Sequence, residues 1–146
     1  MAKFIAHRGN IDGPNYINEN RIEYLEHTFS LGHDVECDLF GFKNKLYLGH
    51  DGPMEVANND FLVQEGVWCH AKNIEALHLL MKIGANCFWH QSDTVTLTSK
   101  GFIWCYPGHH PQYSNAVWLD LENKPLPDDV SGIHGICGDY VIDDRI

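Results

Sequence analysis

The sequence contains no apolar run that approaches the ~18 residues of a membrane-spanning helix. Met1 leads into Lys3 and Phe4 without the longer apolar stretch of a signal peptide. Basic residues are few: ten Lys and Arg stand against twenty Asp and Glu, a formal net charge of −10. Such a balance disfavours a nucleic-acid backbone or an anionic membrane as the main partner. We therefore expect a cytoplasmic protein with no membrane span and no nucleic-acid partner.

Cysteine pairs with the spacing of a zinc site, CxxC or a short CxH, are also missing. The chain has five cysteines, an odd number, and each lies inside an apolar run. We interpret them as reduced core residues that act as small hydrophobic side chains. They are Cys37, Cys69, Cys87, Cys105 and Cys137.

Helical connections are scarce in a chain that otherwise alternates short apolar runs with connecting segments. Only two of the connecting segments are predicted to form helices. One follows Asn18-Glu19-Asn20, where either asparagine can cap, and stops at Gly32; the other runs from the cap Asn73 to Gly84. The predicted strands are residues 3–7, 34–42, 46–50, 66–72, 86–91, 102–106, 116–121 and 133–137.

Eight strand-like runs suggest a sheet that could close into a barrel. A full (β/α)₈ barrel usually takes ~250 residues, and this chain has 146. We therefore predict one α/β domain over residues 1–146, a trimmed TIM-like (β/α) barrel with several outer helices missing or shortened. Apolar barrel exterior without helices would need another cover, so we also predict self-association into a homo-oligomer.

Two carboxylates stand two residues apart in the segment Glu36-Cys37-Asp38. In a strand, residues i and i+2 point to the same face, so Glu36 and Asp38 lie side by side. Adjacent carboxylates stay ionised near neutral pH when a cation or a positively charged neighbour lies between them. The pattern is compatible with a metal site and with a solvated acidic strand face, and spacing alone does not choose between the two.

A polar turn and a second apolar run follow the strand that carries Asp38, which is typical of a hairpin. If the turn centres near Asn44, Asp38 lies opposite His50, because each is six residues from the turn. Opposed residues on one face have Cβ atoms ~4.5–5.5 Å apart, so one ligand or metal would reach both. A slip of one residue would remove this match.

Two strand ends carry groups suited to phosphate. At the end of the first strand, His7 supplies a proton near neutral pH, Arg8 supplies fork-shaped donors, and Gly9 lets a ligand approach the backbone. At the end of another strand, His70 and Lys72 share one face through the same i, i+2 spacing. A hydrogen-bonded core histidine and solvated surface cations are the alternative interpretation of these residues.

Five short motifs occur in a fixed order: HRG at residues 7–9, NEN at 18–20, ECD at 36–38, GHD at 49–51 and HAK at 70–72. In this order they resemble the HRG, PENT, ExD, HD and ExK motifs of glycerophosphodiester phosphodiesterases, a family of phospholipase C-like phosphodiesterases. The stretch 132–139 is similar to the family's terminal strand motif. The resemblance is strongest over residues 3–72.

The resemblance implies a metal-dependent phosphodiesterase that cleaves a glycerophosphodiester or a similar small phosphodiester. It implies that Glu36 and Asp38 are metal ligands. It also implies that His7 and His50 are catalytic, one withdrawing a proton and the other protonating the departing alkoxide. The chemistry agrees, because phosphodiester cleavage needs charge neutralisation by cations together with a paired acid and base.

His70 stands where the family has its third carboxylate ligand. We predict His70 as the third metal ligand, with Asp120 and Asp51 as rival carboxylates, although a structural role in its turn suits Asp51 better. The expected cofactor is a divalent metal, magnesium or calcium, and an imidazole in the shell also admits manganese or zinc.

The same resemblance assigns the remaining motif residues to binding and support. Arg8 and Lys72 match groups that contact the phosphate. Glu19 and Asn20 match the PENT element that supports the first histidine loop, and Asp51 is assigned a supporting role in its turn.

Trp118 and Tyr106 are candidates for a wall of the substrate pocket, because a choline headgroup would favour an aromatic face. Only eighteen residues separate Asp51 from His70, so the family's insertion that shapes the glycerol site is missing. Two alternatives therefore stay open. One is a sphingomyelinase D-like lyase that gives a cyclic phosphate, and the other is a non-catalytic binding protein for a phosphorylated ligand, derived from this family.

Overall fold

Each of the eight predicted strand runs overlaps a strand in the computed structural model, which describes residues 2–122, 125–126 and 129–141. The strands are β1 (Lys3–His7), β2 (Asp34–Phe42), β3 (Lys45–Leu48), β4 (Glu55–Val56), β5 (Val67–Ala71), β6 (Asn86–Phe88), β7 (Val95–Leu97), β8 (Ile103–Cys105), β9 (Ala116–Leu119) and β10 (Gly135–Gly138). The helices are α1 (Ile22–Ser30), α2 (Asn59–Leu62) and α3 (Ile74–Ile83). The single-domain prediction also covers residues 1, 123–124, 127–128 and 142–146, which lie outside the described residues.

The ten strands form one mixed sheet. Seven of them run parallel in the order β6, β5, β2, β1, β10, β9, β8. The other three are antiparallel to a neighbour: β3 pairs with the end of β2, β4 with β3, and β7 with β8. The sheet curls into a half-barrel, and the carboxyl ends of its parallel strands lie together at one mouth.

The predicted TIM-like (β/α) barrel is wrong. Only 17% of the described residues are helical, and helices do not alternate regularly with the strands. The connections between β7 and β10 contain no helix in the described part of the chain, because they are short and rich in turn-forming residues. The antiparallel strands β3, β4 and β7 also have no counterpart in such a barrel. None of the three described helices is long and apolar enough to cross a membrane.

The two predicted helices begin in different ways. Asn73 caps α3, with its side chain accepting a first-turn backbone N–H, and Gly84 ends that helix in the left-handed conformation (φ 81°). Both features agree with the prediction. α1 instead begins after Arg21, whose side chain makes no capping bond. The predicted cap Asn20 is wrong, since its side chain is hydrogen-bonded to Asp38.

The hairpin of β2 and β3 turns at Lys43 and Asn44, which both have positive φ (49° and 62°). With this two-residue turn, Asp38 lies opposite Gly49, whose N–H donates to the Asp38 carbonyl at 3.0 Å. The predicted pairing of Asp38 with His50 is therefore wrong by one residue, because the turn centres between residues 43 and 44.

The side chains of the sheet form an inner cluster and two outer clusters. The inner cluster is made of Ile5, Trp68, Phe88, Trp104, Val117 and Cys137. On the outer face, α1 and α3 pack over β2 and β5, where Leu25, Val35 and Leu80 are fully buried. All five cysteines are buried in these clusters, which confirms their interpretation as core residues.

In the described part of the chain, residues outside any helix cover the outer face of β8, β9 and β10. Val130 and Ile133, from the connection between β9 and β10, pack with Trp118 and Ile136, and none of the four is more than 7% exposed. The apolar exterior that we expected to remain uncovered is thus buried within the chain. This removes the stated reason for self-association, which stays a prediction.

Candidate active site

A pocket of about 360 Å³ opens at the carboxyl ends of the parallel strands. Strand pairing places His7 beside Glu36 and Asp38 beside His70 at this mouth. The pocket brings together eight of the predicted site residues: His7, Arg8, Glu36, Asp38, His50, His70, Lys72 and Tyr106. Its other lining residues are Trp89, His90, Gln91, Trp104, Leu119 and Leu121.

A tight turn after β1 positions Arg8. Arg8 has a positive φ of 55° and is followed by Gly9 at 86°; the left-handed region is uncommon for a non-glycine residue and must be offset by contacts. The Arg8 N–H donates to Glu36 Oε2 at 3.3 Å. Its guanidinium forms ion pairs with Asp38 Oδ2 at 3.3 Å and Glu19 Oε2 at 3.2 Å. The cation therefore lies among three carboxylates at the pocket edge.

Glu36, Asp38 and His70 converge in the pocket. One ligand atom from each lies within 4.8 Å of the others, and His70 Nδ1 is 3.2 Å from Asp38 Oδ1. Asn20 holds Asp38 from the other side, since Asn20 Nδ2 donates to Asp38 Oδ2 and Asn20 Oδ1 accepts the Asp38 N–H, both at 2.9 Å. Glu36 and Asp38 are only 2% and 1% exposed. The alternative of a solvated acidic strand face is therefore wrong.

Burial and charge separate the pKa values of the two carboxyl groups. Burial, together with the neighbouring Asp38 charge, raises the pKa of Glu36 to about 7. Burial acts in the same sense on Asp38, but the hydrogen bond and charge of His70 and the bond from Asn20 outweigh it and lower the Asp38 pKa to about 2. Near neutral pH Asp38 is an anion, whereas Glu36 retains a proton part of the time unless a cation lies close to it.

The donor set fits a divalent cation. Two atoms that bind one ion at ~2.1–2.4 Å lie at most ~4.2–4.8 Å apart, and the atoms of Glu36, Asp38 and His70 meet this limit. His70 Nδ1, 3.2 Å from Asp38 Oδ1, is the ring nitrogen that faces the carboxylates. Glu36, Asp38 and His70 are therefore the residues that would hold a metal.

Asp139 orients His7. His7 Nδ1 is 2.9 Å from Asp139 Oδ1, and His7 Nε2 is 3.7 Å from Glu36 Oε2. Burial lowers the pKa of His7, but the Asp139 hydrogen bond and the Glu36 charge outweigh it, so the pKa is raised. Asn10 fixes Asp139 in turn, donating from Nδ2 to Asp139 Oδ1 at 2.8 Å and to Glu19 Oε1 at 2.9 Å. Glu19 thus supports the first histidine loop through both Arg8 and Asn10.

His50 has a similar partner in a different environment. Its Nδ1 is 2.8 Å from Asp51 Oδ1, but the side chain of Asp51 is 99% exposed and that of His50 is 37% exposed. His7 and His50 therefore both carry a carboxylate at Nδ1, one buried and one in water.

Of the predicted phosphate-binding residue Lys72 and the rival metal ligand Asp120, only Lys72 lines this pocket. Lys72 lines the pocket at the end of β5, where its N–H donates to the Leu39 carbonyl at 2.8 Å. Asp120, the rival ligand, lies outside the group of Glu36, Asp38 and His70. Its Oδ1 accepts the Glu122 N–H at 3.2 Å.

The aromatic wall of the pocket differs from the predicted one. Tyr106 lines it, and its hydroxyl donates to the Gln91 carbonyl. Trp118 lies in the outer cluster instead, fully buried, with its Nε1–H donating to the Pro111 carbonyl at 3.0 Å. Trp89, in the segment after β6, and Trp104, on β8, complete the wall.

Sequence reasoning missed Asp139 and Asn10 as parts of this site, and it favoured a hydrogen-bonding or surface role for His90. Asp139 gave a usable signal, because it directly follows the last strand, just as Arg8 directly follows the first. His90 also follows an apolar run, but its stacking on His70 (ring centroids 5.2 Å apart) depends on the pairing of β5 with β6. Asn10 lies in a turn and gave no signal.

Comparison with models of protein families, with curated proteins and with solved structures yields no match for this chain. The site is therefore interpreted from its own residues and geometry.

Proposed function

We propose that the chain is a metal-dependent phosphodiesterase that cleaves a glycerophosphodiester or a similar small phosphodiester. In this proposal it is a divergent member of the glycerophosphodiester phosphodiesterase family, built on the curled half-barrel described above. Glu36, Asp38 and His70 hold the metal, His7 and His50 are the catalytic histidines, and Arg8 and Lys72 bind the phosphate.

The observation that carries this proposal is the convergence of two kinds of group in one pocket. His7 and His50 each have a carboxylate at Nδ1, and both line the same pocket as the buried cluster of Glu36, Asp38 and His70. A carboxylate at Nδ1 fixes the ring orientation and leaves Nε2 to exchange a proton. Paired imidazoles beside a cation site suit cleavage of a phosphodiester bond, which needs an acid, a base and charge neutralisation.

The phosphate would lie between the two histidines and the cationic groups. Arg8 and Lys72 line this part of the pocket and offer donors to phosphate oxygens. The bound metal supplies further positive charge to the phosphate. One histidine takes a proton from the attacking water as its oxygen bonds to phosphorus, and the other gives a proton to the alkoxide that departs when its P–O bond breaks.

Two further proposals concern partners and location. A small phosphodiester rather than nucleic acid suits a chain with a formal net charge of −10. A cytoplasmic location suits five buried free thiols.

Phosphorus NMR tests the proposal directly. Glycerophosphocholine is incubated with the protein and with magnesium, calcium, manganese or zinc in turn. We expect a product signal that is lost with chelator, and a fall in turnover of ~10²-fold or more in His7→Ala and in His50→Ala. His78→Ala, an exposed histidine on α3, is the matched control and keeps full turnover.

The same spectra separate the alternatives. A cyclic phosphate product would indicate the lyase reaction, and chelator-sensitive binding without any product would indicate a non-catalytic binding protein. Turnover within a few-fold of wild type in either histidine variant would refute the acid–base assignment.

A further inference from the structure

The ring of His70 is held in place by two rings of the neighbouring strand and segment. β5 and β6 pair in parallel with His70 opposite Phe88. The ring centroids of His70 and Phe88 are 4.9 Å apart with an interplanar angle of 15°, and those of His70 and His90 are 5.2 Å apart at 18°. Phe88 is itself stacked on Trp104 at 4.4 Å and is 1% exposed. The plane of the His70 imidazole is thus set by a rigid aromatic stack.

This orientation points one nitrogen of His70 at the acidic pair. Nδ1 is 3.2 Å from Asp38 Oδ1, and one ligand atom of His70 lies within 4.8 Å of ligand atoms of both Glu36 and Asp38. Nε2 is on the opposite edge of the ring, buried and without a partner among the described residues. A neutral imidazole with its proton on Nε2 leaves the Nδ1 lone pair for a cation beside the two carboxylates.

We propose that His70, held by the rings of Phe88 and His90, is a nitrogen ligand, and that the centre therefore takes a transition-metal cation such as Mn²⁺, Co²⁺ or Zn²⁺ in preference to Mg²⁺ or Ca²⁺. This inference rests on the metal site of the proposed function and goes beyond it by naming the class of metal. Imidazole suits transition metals, whereas Mg²⁺ and Ca²⁺ prefer sites built from oxygen alone. Phe88 and His90 act through His70 and are positioning residues.

Pulsed electron paramagnetic resonance of the Mn²⁺-loaded protein tests the ligand directly. We expect modulation from imidazole ¹⁴N in the wild-type protein, which changes when the histidines are labelled with ¹⁵N. His70→Glu should bind Mn²⁺ without this modulation, because it replaces the nitrogen by a carboxylate oxygen. His7→Gln and His50→Gln, which change the two other pocket histidines with a carboxylate partner, should retain it. Asp38→Asn should weaken Mn²⁺ binding at least tenfold, which locates the ion.

Metal affinities measured by calorimetry test the selectivity. The ratio of Zn²⁺ affinity to Mg²⁺ affinity should fall at least tenfold in His70→Glu. His90→Phe keeps a ring on His70 but removes the second imidazole, so both the affinity ratio and the nitrogen modulation should persist. Their loss in His90→Phe would show that His90 itself is the ligand and would overturn the positioning role.

Other outcomes overturn the proposal outright. They are Mn²⁺ bound at Asp38 without nitrogen modulation, modulation that disappears in His7→Gln rather than His70→Glu, and no Mn²⁺ binding at millimolar concentration. If circular dichroism shows that His70→Glu does not fold, the labelled wild-type protein and the His7 and His50 variants still decide the question.

The outcomes also separate this proposal from the proposed function. Nitrogen-coupled Mn²⁺ without phosphodiester cleavage would refute the enzyme and keep the metal assignment. Cleavage supported by Mg²⁺ in a protein without nitrogen modulation would refute the metal assignment and keep the enzyme.

Discussion

Helices cover the outer face of the sheet in one region and non-helical chain covers it in the other. The two regions contribute different residues to the pocket. On the helix-covered side, α1 and α3 pack over β2 and β5. On the loop-covered side, formed by β8, β9 and β10, Val130 and Ile133 take the place of a helix. The helix-covered side supplies both carboxylates of the metal group and Lys72, whereas the loop-covered side supplies Tyr106, Trp104 and Leu119.

This difference indicates which parts of the site need precise positions and which do not. Charged groups that must converge within a few ångströms sit on strands fixed by helices and by the buried pair of β2 and β5. The aromatic wall tolerates more positional freedom, because ring contacts act over a broad range of geometries. Asp139 is the exception, since it follows β10 on the loop-covered side and still orients His7 at 2.9 Å.

The largest expected effect concerns the packing of the two sides. Leu80→Ala, beneath α3, should lower the free energy of unfolding by about 2–5 kcal/mol, and Ile133→Ala by an amount near the lower end of that range, because loop chain relaxes into a cavity more easily than a helix. Leu80 is fully buried and Ile133 is 5% exposed. Urea unfolding followed by tryptophan fluorescence measures both.

Leu97→Ala is the control, because this side chain is 67% exposed and should change stability by less than about 0.5 kcal/mol. An equally small loss in Ile133→Ala would mean that the loop-covered side has no packed outer layer.

Asp139→Asn tests the one contact that joins the loop-covered side to the catalytic groups. The Asp139 anion stabilises the His7 imidazolium, so its removal should lower the pKa of His7. Turnover of the phosphodiester should fall by about 10–100-fold, as expected when an orienting partner is lost. The pKa is followed by NMR titration of the imidazole protons.

Asp51→Asn is the matched variant, because Asp51 contacts the Nδ1 of His50 in the same way but in water. We expect only a few-fold change in turnover there. Equal effects in the two variants would show that burial of Asp139 does not matter.

The sequence predicts the helix-covered side better than the loop-covered side, for physical reasons. Helix α3 is delimited by a capping Asn73 and a left-handed Gly84, which are local signals. The cover formed by Val130 and Ile133 has no period and no cap, so only the tertiary structure reveals it. The argument for self-association depended on this point, because it treated missing helices as a missing cover.

The sequence also predicts some parts of the candidate site and leaves others undefined. Strand alternation suffices to place Glu36 beside Asp38, and motif order suffices to group His7, His50 and His70. The position of Asp38 opposite Gly49 depends on a turn at residues 43–44, which a polar segment does not define to one residue.

Metal binding should depend on pH through Glu36, which lies on β2 in the helix-covered side. Glu36 has a pKa raised to about 7, so below that pH a metal must displace its proton, whereas Asp38, with a pKa lowered to about 2, is already ionised. The contribution of Glu36 should raise metal affinity by up to about tenfold per pH unit below pH 7 and level off above it. Calorimetry in buffers of different ionisation enthalpy measures the released proton. In Glu36→Gln the metal affinity should be weaker and this pH dependence should disappear; a dependence that persists would assign the proton to another group.

The smallest expected effect concerns the attachment of α3 to strand β2 through Asn73. Asn73 Oδ1 accepts the Ala76 N–H at 2.9 Å and the Gly41 N–H at 3.0 Å, and Asn73 Nδ2 donates to the Gly41 carbonyl at 3.0 Å. Asn73→Ala should lower the free energy of unfolding by about 1 kcal/mol, because the cap of α3 is lost. Asn73→Asp keeps an acceptor for both N–H groups and should retain most of the stability. Equal losses in the two variants would assign the stabilisation to the bond with the Gly41 carbonyl, and α3 would then be held by strand β2 rather than by its own cap.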